Sequence, residues 1–195
     1  MKKVLGSILL IFSIILISFS VLVYNLSFWE YLQEKHDVNE SLAQPLNKHL
    51  VNYFKDANYK TGPEYQGLTE KEEQHMLDVK KRVNTVIFLA LITSISAILF
   101  LSRLKKREIK QVLIWSSAIT VIVPLLFFLF PFEPVFSVFH KLFFTQGTYL
   151  FSQADLLIRA YPEEFFQDFV IWMISISFGI AIALFITGLL LKKFK

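Results

Sequence analysis

Long apolar segments alternate with charged ones along this chain, and the apolar segments set its architecture. Four of them reach the roughly 20 mostly apolar residues that a helix needs to cross the hydrocarbon core of a bilayer. They cover residues 4–23, 83–101, 112–130 and 169–191. The pattern predicts an all-α membrane protein with four transmembrane helices in a single membrane domain, residues 1–195. A hydrophobic content of 54% and a mean hydropathy of +0.51 agree, since an ordinary soluble domain is less apolar.

The segment between the first two spans, residues 24–82, is too long for a simple connection, because loops without structure rarely exceed about 12 to 15 residues. We therefore expect a small cap there. Its apolar residues recur at helical spacing at Leu42, Leu46, Leu50, Tyr53 and Phe54. This spacing predicts an amphipathic helix that Asn39 or Ser41 caps and that has Pro45 in its first turn. Its apolar face would cover either the membrane surface or the ends of the spans.

Two local signals follow within the cap. Residues 58–63 have turn chemistry, which allows a short β-hairpin. Thr69 and Glu72 have the spacing of a capping box, in which hydroxyl and carboxylate satisfy each other's free backbone N–H groups. A helix is predicted to start there and to continue unbroken into the second span. His75 and Asp78 share one face of that helix by their three-residue spacing.

The segment before the fourth span, residues 131–168, begins with Pro131 and Pro134. The apolar run that follows, residues 135–139, is too short to cross a bilayer. It is predicted to lie in the membrane interface or to re-enter it. His140 comes directly after this run.

Basic residues concentrate in the two termini and in the connection after the second span, where ten of them accompany a single acid, Glu108. By the positive-inside rule these segments face the cytoplasm, so both termini are predicted to be cytoplasmic and the two long segments extracytoplasmic. The first span begins with Lys2 and Lys3 like a signal peptide. Its apolar stretch exceeds the roughly 7 to 15 residues of such a signal, so we expect an uncleaved anchor.

Other basic residues do not follow this distribution. Lys80, Lys81 and Arg82 lie at the outer end of the second span, where the rule disfavours cations. They either meet an anionic group, such as lipid headgroups or nearby acids, or form a solvated face. No basic stripe interleaved with aromatic residues occurs, so nucleic acid is not predicted as a partner.

The sequence offers no nucleophile for a covalent intermediate. It contains no cysteine, which removes disulfides, thiolate metal sites and a thioester. A G-x-S-x-G elbow is also absent, and the serines of the spans fit helix packing. An acyl-enzyme is therefore not predicted.

His75 and His140 are the candidate catalytic residues, because the ordinary pKa of histidine lies near neutrality. The helical rise places His75 on the order of 12 Å before Val83, at headgroup depth, and His140 reaches a similar depth after the third span. Taken alone, each histidine is more often a hydrogen-bonded interfacial residue than a catalytic one. A metal site would need Asp78 or Asp155 as a third ligand and lacks a paired histidine spacing, so neither a metal nor another cofactor is predicted.

Further polar residues are candidates for supporting roles. Asp155 and Arg159 have the four-residue spacing of a helical ion pair, and Arg159 is also a candidate for receiving substrate charge. Asp78 either orients His75 or solvates the helix surface.

Several segments together resemble the lipoprotein intramolecular transacylase family, Lit, and they are residues 68–70, 75–80, 139–144, 149–151, 155–158 and 162–168. The layout of four spans with an external insert after the first is similar as well. The resemblance implies a bacterial enzyme of the cell membrane. Such an enzyme moves the sn-2 acyl chain of a diacylglyceryl-cysteine lipoprotein onto the α-amino group of that cysteine and leaves a lyso-form lipoprotein.

The catalytic pair of that family corresponds to His75 and His140 here, at the outer leaflet. We expect His75 to free the lone pair of the amine, and His140 to protonate the departing oxygen or hold the oxyanion, with the reverse assignment left open. Tyr149 stands where the family often has Trp and is a candidate supporting residue. Membrane lipids and the lipoprotein substrate are the implied partners.

One alternative belongs to another class, a non-catalytic membrane protein whose external cap binds a partner or senses a ligand. It predicts that His75 and His140 face apart or serve as packing groups. The transacylase hypothesis predicts that they converge on one lipid-accessible cavity. A transporter is disfavoured, since charged residues do not occur in the middle of the spans.

Overall fold

The computed structural model of the chain describes residues 2–56, 61–127, 129–144 and 147–191. Eight helices and no strand occur among these residues, which confirms the all-α class. They are α1 Lys2–Val23, α2 Leu26–Lys35, α3 Glu40–Lys55, α4 Glu70–Leu101, α5 Lys106–Phe127, α6 Phe132–Phe143, α7 Leu156–Ala160 and α8 Glu163–Leu190. Half of the hairpin predicted at residues 58–63, residues 58–60, lies outside the described part of the chain, and the described residues 61–63 do not form a strand.

Four helices, α1, α4, α5 and α8, are long and apolar enough to cross a membrane, as the sequence predicted. Residues 70–82 of α4 carry many charged side chains, whereas α4 from Val83 onward carries none. Helix α8 begins at Glu163, before the predicted span. Helix α5 ends at Phe127 and not at residue 130, since Pro131 disfavours helical backbone in the residue before it.

The chain divides into two compact units. The span unit consists of Met1–Val21, Val86–Phe130 and Ile171–Lys195. The site unit consists of Leu22–Thr85 and Pro131–Val170. The predicted cap and the predicted interfacial segment thus belong to one unit.

Close helix packing in the span unit depends on small residues. A Cβ atom at Gly6 would lie 3.2 Å from the Phe100 ring and 3.3 Å from Val112, so only a glycine fits there without a shift. The buried hydroxyl of Ser177 on α8 donates to the Ser18 hydroxyl on α1 at 3.0 Å. Small residues and hydroxyl contacts of this kind hold helices together where lipid removes the hydrophobic driving force.

An aromatic cluster forms the core of the site unit around Trp29 of α2. Its ring centroid lies 5.8 Å from Tyr161, 6.2 Å from Phe165 and 6.4 Å from Phe54. The Trp29 indole also donates to the Leu22 carbonyl at 3.2 Å. The sequence did not predict α2, although Asn25 provides its N-cap.

A buried polar network ties α2, α3 and the end of α7 together. The carboxamides of Gln33 and Asn47 exchange hydrogen bonds of 3.2 and 2.6 Å. Gln33 also donates to the Ala160 carbonyl at 2.8 Å, and the Tyr161 hydroxyl donates to Asn47 at 2.7 Å. Such a satisfied network fixes the arrangement of the elements that carry it.

Helix α3 is the predicted amphipathic helix, and Asn39 caps it by accepting from the Ser41 N–H at 3.0 Å. Pro45 lies in its second turn and not its first, because the cap places the helix start at Glu40. The proline therefore leaves the Ser41 carbonyl without its usual donor. The apolar face is buried inside the site unit through Leu46, Leu50 and Phe54.

The predicted capping box starts α4. The Glu72 carboxylate accepts from the Thr69 N–H at 2.8 Å and from its hydroxyl at 2.9 Å, and the Thr69 hydroxyl accepts from the Glu72 N–H at 3.3 Å. The second oxygen of the fully buried Glu72 side chain accepts from the Leu157 N–H at 2.7 Å. This one carboxylate therefore also joins α4 to α7, one turn before His75.

Candidate active site

Helix α4 presents His75 to an aromatic environment. The imidazole is 8% exposed, and its centroid lies 4.9 Å from the ring of Phe144 and 5.3 Å from that of Phe151. Both phenylalanines come from the segment after α6. The capping box fixes the start of the helix and hence the direction in which this face points.

Helix α6 presents His140, and a backbone hydrogen bond fixes its ring. The Nδ1 of His140 lies 2.8 Å from the Phe136 carbonyl oxygen, one turn earlier on the same helix. The Phe136 ring packs edge-on against the imidazole at 4.3 Å, and the Tyr149 ring lies 5.3 Å away. Three groups thus restrict the orientation of one histidine.

The imidazole rings of His75 and His140 lie next to each other. Their ring centroids are 6.1 Å apart and their planes are inclined by 21°. Phe144 lies beside both, at 5.2 Å from His140. Residues 65 positions apart in the sequence thus lie side by side inside the site unit. The two rings do not face apart, which was one of the two arrangements that the non-catalytic alternative predicted.

Burial keeps both imidazoles neutral at pH 7. It lowers the pKa of His75 to about 4, with a further contribution from His140, and the opposing charge of Asp78 is too weak to reverse this. Burial also lowers the pKa of His140, against the effect of the Phe136 carbonyl, which stabilises the protonated ring. A neutral imidazole has one nitrogen with a lone pair that can accept a proton and one N–H that can donate a hydrogen bond.

The hydrogen bonds distinguish the two rings. A carbonyl oxygen only accepts, so Nδ1 of His140 carries the hydrogen and Nε2 of the neutral ring keeps its lone pair. Nδ1 of His75 is buried and has no hydrogen-bond partner in the part of the chain that the structure describes. Buried polar atoms in proteins usually have a hydrogen-bond partner. A hydrogen bond to a substrate atom would account for this one.

Apolar side chains surround the pair and reach the surface. On α6, Val138, Phe139, Leu142 and Phe143 are 53%, 43%, 72% and 46% exposed. Leu150 in the following segment is 64% exposed. The surface beside the histidines is therefore suited to hydrocarbon chains.

Two cations of α4 bind backbone carbonyls, one at the end of α6 and one in the segment that follows it. The Lys71 ammonium donates to the Leu150 carbonyl and lies 5.4 Å from the Phe151 ring centroid. Arg82 donates to the Phe143 carbonyl at 2.8 Å. Lys71 and the phenylalanines at 136, 144 and 151 were not among the predicted site residues, because neither a lysine on a charged helix nor a phenylalanine beside apolar runs is distinctive in a sequence.

The three basic residues directly before the apolar part of α4 do not act together. Lys80 is fully buried, with its ammonium 4.0 Å from the Tyr53 ring centroid, and Lys81 pairs with Asp78 at 3.3 Å. Arg82 binds backbone, as described above. Of the two sequence interpretations, the solvated face is wrong for Lys80, and a nearby acid is the partner of Lys81.

The remaining candidates lie at different distances from the pair. Tyr149 packs against His140, and Asp78 acts on His75 through its charge. The Asp155 carboxylate accepts from the Ser152 N–H at 2.5 Å. Arg159 is exposed and forms no ion pair with Asp155 among the described residues. Those residues also contain no group of three or more His, Cys, Asp or Glu side chains placed to hold a metal ion.

The other two histidines have structural partners. His36 lies 2.8 Å from Asp168, which also binds Lys35 at 2.5 Å. His49 contacts the Pro63 carbonyl and packs on Tyr65 at 5.0 Å.

Comparisons with known proteins give one family. Residues 4–166 match the model of the family described as lipoprotein intramolecular transacylase Lit. An uncharacterized protein of Aquifex aeolicus is 32% identical over 144 residues, which are 72% of this chain and 64% of that protein. The chain thus spans less than two thirds of the length of that relative.

Solved structures agree on the fold. The membrane integral lipoprotein intramolecular transacylase Lit from Bacillus cereus has a TM-score of 0.85 and 22% identity, covering 98% of this chain and 94% of its own. A second structure of that protein, with a histidine-to-arginine mutation, has a TM-score of 0.80 and the same identity, covering 98% and 91%. The match of the family model over most of the chain decides the assignment: the protein belongs to the lipoprotein intramolecular transacylase family, Lit.

Proposed function

We propose that the protein is a membrane acyltransferase that moves the sn-2 acyl chain of a diacylglyceryl-cysteine lipoprotein to the α-amino group of the same cysteine. The observation that carries the proposal is the pair of neutral histidines 6.1 Å apart, one with a fixed proton-accepting nitrogen. Family membership supports the reaction class. The aromatic and exposed apolar side chains around the pair suit a substrate with acyl chains.

His140 is the proposed base. Its Nε2 lone pair takes a proton from the amine as the amine nitrogen attacks the ester carbonyl carbon. The bond between that carbon and the sn-2 oxygen then breaks, and the oxygen takes the proton from Nε2 of His140. The products are an amide and a free sn-2 hydroxyl, with no proton gained or lost. This exchanges the roles expected from the sequence, because the Phe136 hydrogen bond fixes the tautomer of His140 and no described group does so for His75.

His75 is the proposed donor to the oxyanion. A pKa of about 4 makes this residue a poor base for an amine whose pKa is about 7.7 to 8.0. A neutral imidazole still donates one N–H, and Nδ1 of His75 has no described partner to compete for it. Donation to the developing oxyanion in a dry aromatic site would stabilise the transition state more than the ground state.

The substrate supplies its own nucleophile, so an acyl-enzyme is unnecessary. This fits a chain without cysteine and without a serine elbow. We also propose that both termini face the cytoplasm and that the histidine pair lies at the outer leaflet. The basic termini and the acidic long segments support this orientation.

The direct test supplies purified protein in lipid vesicles with a synthetic diacylglyceryl peptide. Intramolecular transfer leaves the mass unchanged, so fragmentation in tandem mass spectrometry must locate the chain on the amine, while an amine reagent records the loss of free amine. A mixture of two isotopically labelled substrates should give no crossed products. Release of free fatty acid, or crossed products, would contradict an intramolecular transfer.

The pH profile should follow the substrate amine and not the histidines. Both histidine pKa values lie below 6.5, so both rings are already neutral at pH 7, whereas the amine is still mostly protonated. We expect kcat/KM to rise about sevenfold between about pH 6.5 and 7.5 and to level off above about pH 8.5. A profile that falls as pH rises through this range would require a protonated histidine and exclude this mechanism.

The orientation has its own test, which the absence of native cysteines makes simple. Lys48→Cys in the site unit and Arg103→Cys in the connection between α4 and α5 place one thiol each at an exposed position. A membrane-impermeant maleimide should label the first in intact cells and the second only after permeabilisation. The opposite pattern would place the histidine pair on the cytoplasmic side.

A further inference from the structure

A cavity of the site unit lies beside α7, away from the residues that contact the two histidines. It has a volume of about 360 Å³ and is lined by the start of α3, the turn at residues 65–67 and the segment around α7. Its lining residues include Ser41, Tyr65, Gln66, Ala154 and Arg159. Polar groups thus dominate its wall, in contrast to the phenylalanines around the histidine pair.

Arg159 supplies the charge of this cavity. Its side chain is exposed, and no described residue forms a hydrogen bond or ion pair with the guanidinium. Glycine at position 67, with φ +101°, gives the turn a shape that other residues rarely adopt, and a Cβ there would lie 3.4 Å from Leu156. A guanidinium with free donors in a polar concave site suits a carboxylate, which it can bind with two parallel hydrogen bonds.

The chain itself limits the distance from this cavity to the histidines. The Phe151 ring lies 5.3 Å from His75, and Ala154 follows three residues later. Three residues span at most about 11 Å. A peptide of about five extended residues spans about 17 Å, which is longer than the chain segment from Phe151 beside His75 to Ala154 in the cavity wall.

We propose that this cavity binds the polypeptide that follows the lipidated cysteine, through an acidic side chain that pairs with Arg159 within about five residues of that cysteine. The inference rests on the proposed function, which places the cysteine at the histidine pair. The substrate then has two parts with different chemistry, and the site unit has two matching surfaces. The aromatic site takes the acyl glyceryl part and the polar cavity takes the peptide.

The test compares two diacylglyceryl-cysteine peptides that differ only in Glu or Gln at the fourth residue after the cysteine. With wild-type protein in zwitterionic vesicles, we expect KM for the Glu peptide to be about threefold to tenfold lower, at equal kcat.

Arg159→Gln should remove this difference, and Arg159→Lys should retain part of it. Ala154→Trp, which fills the cavity from an exposed position, should act like Arg159→Gln. Lys48→Gln, the loss of an exposed cation elsewhere in the site unit, should leave the preference intact.

Equal KM values for the two peptides with wild-type protein, or an equal rise for both in Arg159→Gln, would overturn the proposal. If Arg159→Gln lowers activity on both peptides only in vesicles rich in phosphatidylglycerol, the cavity binds a lipid headgroup and the peptide assignment is wrong. If acyl transfer occurs but shows no preference between the two peptides, the assignment of the cavity as a peptide site is wrong and the proposed function is unaffected. The absence of acyl transfer to either peptide would refute the proposed function together with the inference that rests on it.

Discussion

His140→Asn is expected to lower the rate of acyl transfer by about 10² to 10⁴, the usual contribution of a positioned general base. Asparagine is the informative substitution because its side-chain N–H₂ can still donate to the Phe136 carbonyl, which lies 2.8 Å from Nδ1 of His140. The variant keeps that hydrogen bond and the helical packing but has no lone pair in the place of Nε2. The loss should therefore appear in kcat, with little change in substrate binding.

Lys141→Gln provides the matched control on the same helix. This residue is exposed, and the proposed mechanism gives it no role, so its rate should stay within about twofold of wild type. Single-turnover measurements of the isomerised lipopeptide would compare the two variants. If His140→Asn retained more than a tenth of the wild-type rate, His140 would not be the base.

The arrangement of the pair follows from features that the sequence shows only in part. His75 and His140 were identifiable because histidine is rare here and has distinctive chemistry, and the capping box fixed the helix that carries His75. Phe144 and Phe151 were not, because 21 phenylalanines give no means of choosing the few that touch an imidazole. The roles of the two rings depend on one backbone carbonyl, that of Phe136, whose availability is set by the conformation of α6.

The helices of the fold were likewise predictable only in part. The four spans were predictable because each needs a long apolar run, which few other structures produce. Helix α2 was missed because it has only ten residues and its burial depends on Tyr161 and Phe165, far along the chain. Lys80 was expected at a surface, yet its ammonium lies against Tyr53. A charged residue on a helix gives no sequence signal that a ring from another helix will cover it.

His75→Phe is expected to separate activity from stability. Phenylalanine retains an aromatic ring beside Phe144 and Phe151 and removes a buried nitrogen that has no described partner. An unsatisfied buried polar atom costs about 1 to 3 kcal/mol, so the free energy of unfolding should stay equal or rise. Acyl transfer should nevertheless fall by about 10² to 10³, as expected for the loss of an oxyanion donor.

The matched control for this second substitution is His49→Phe, which should have the opposite effects. His49 uses its imidazole to contact the Pro63 carbonyl, and phenylalanine cannot replace that contact. The control variant should therefore unfold at a lower temperature while its rate per folded molecule remains close to wild type. Thermal unfolding in detergent and the lipopeptide assay would be measured on both proteins. If His75→Phe were destabilised and its rate fell only in proportion to the folded fraction, His75 would be a packing residue, and its unpartnered nitrogen would have no part in the reaction.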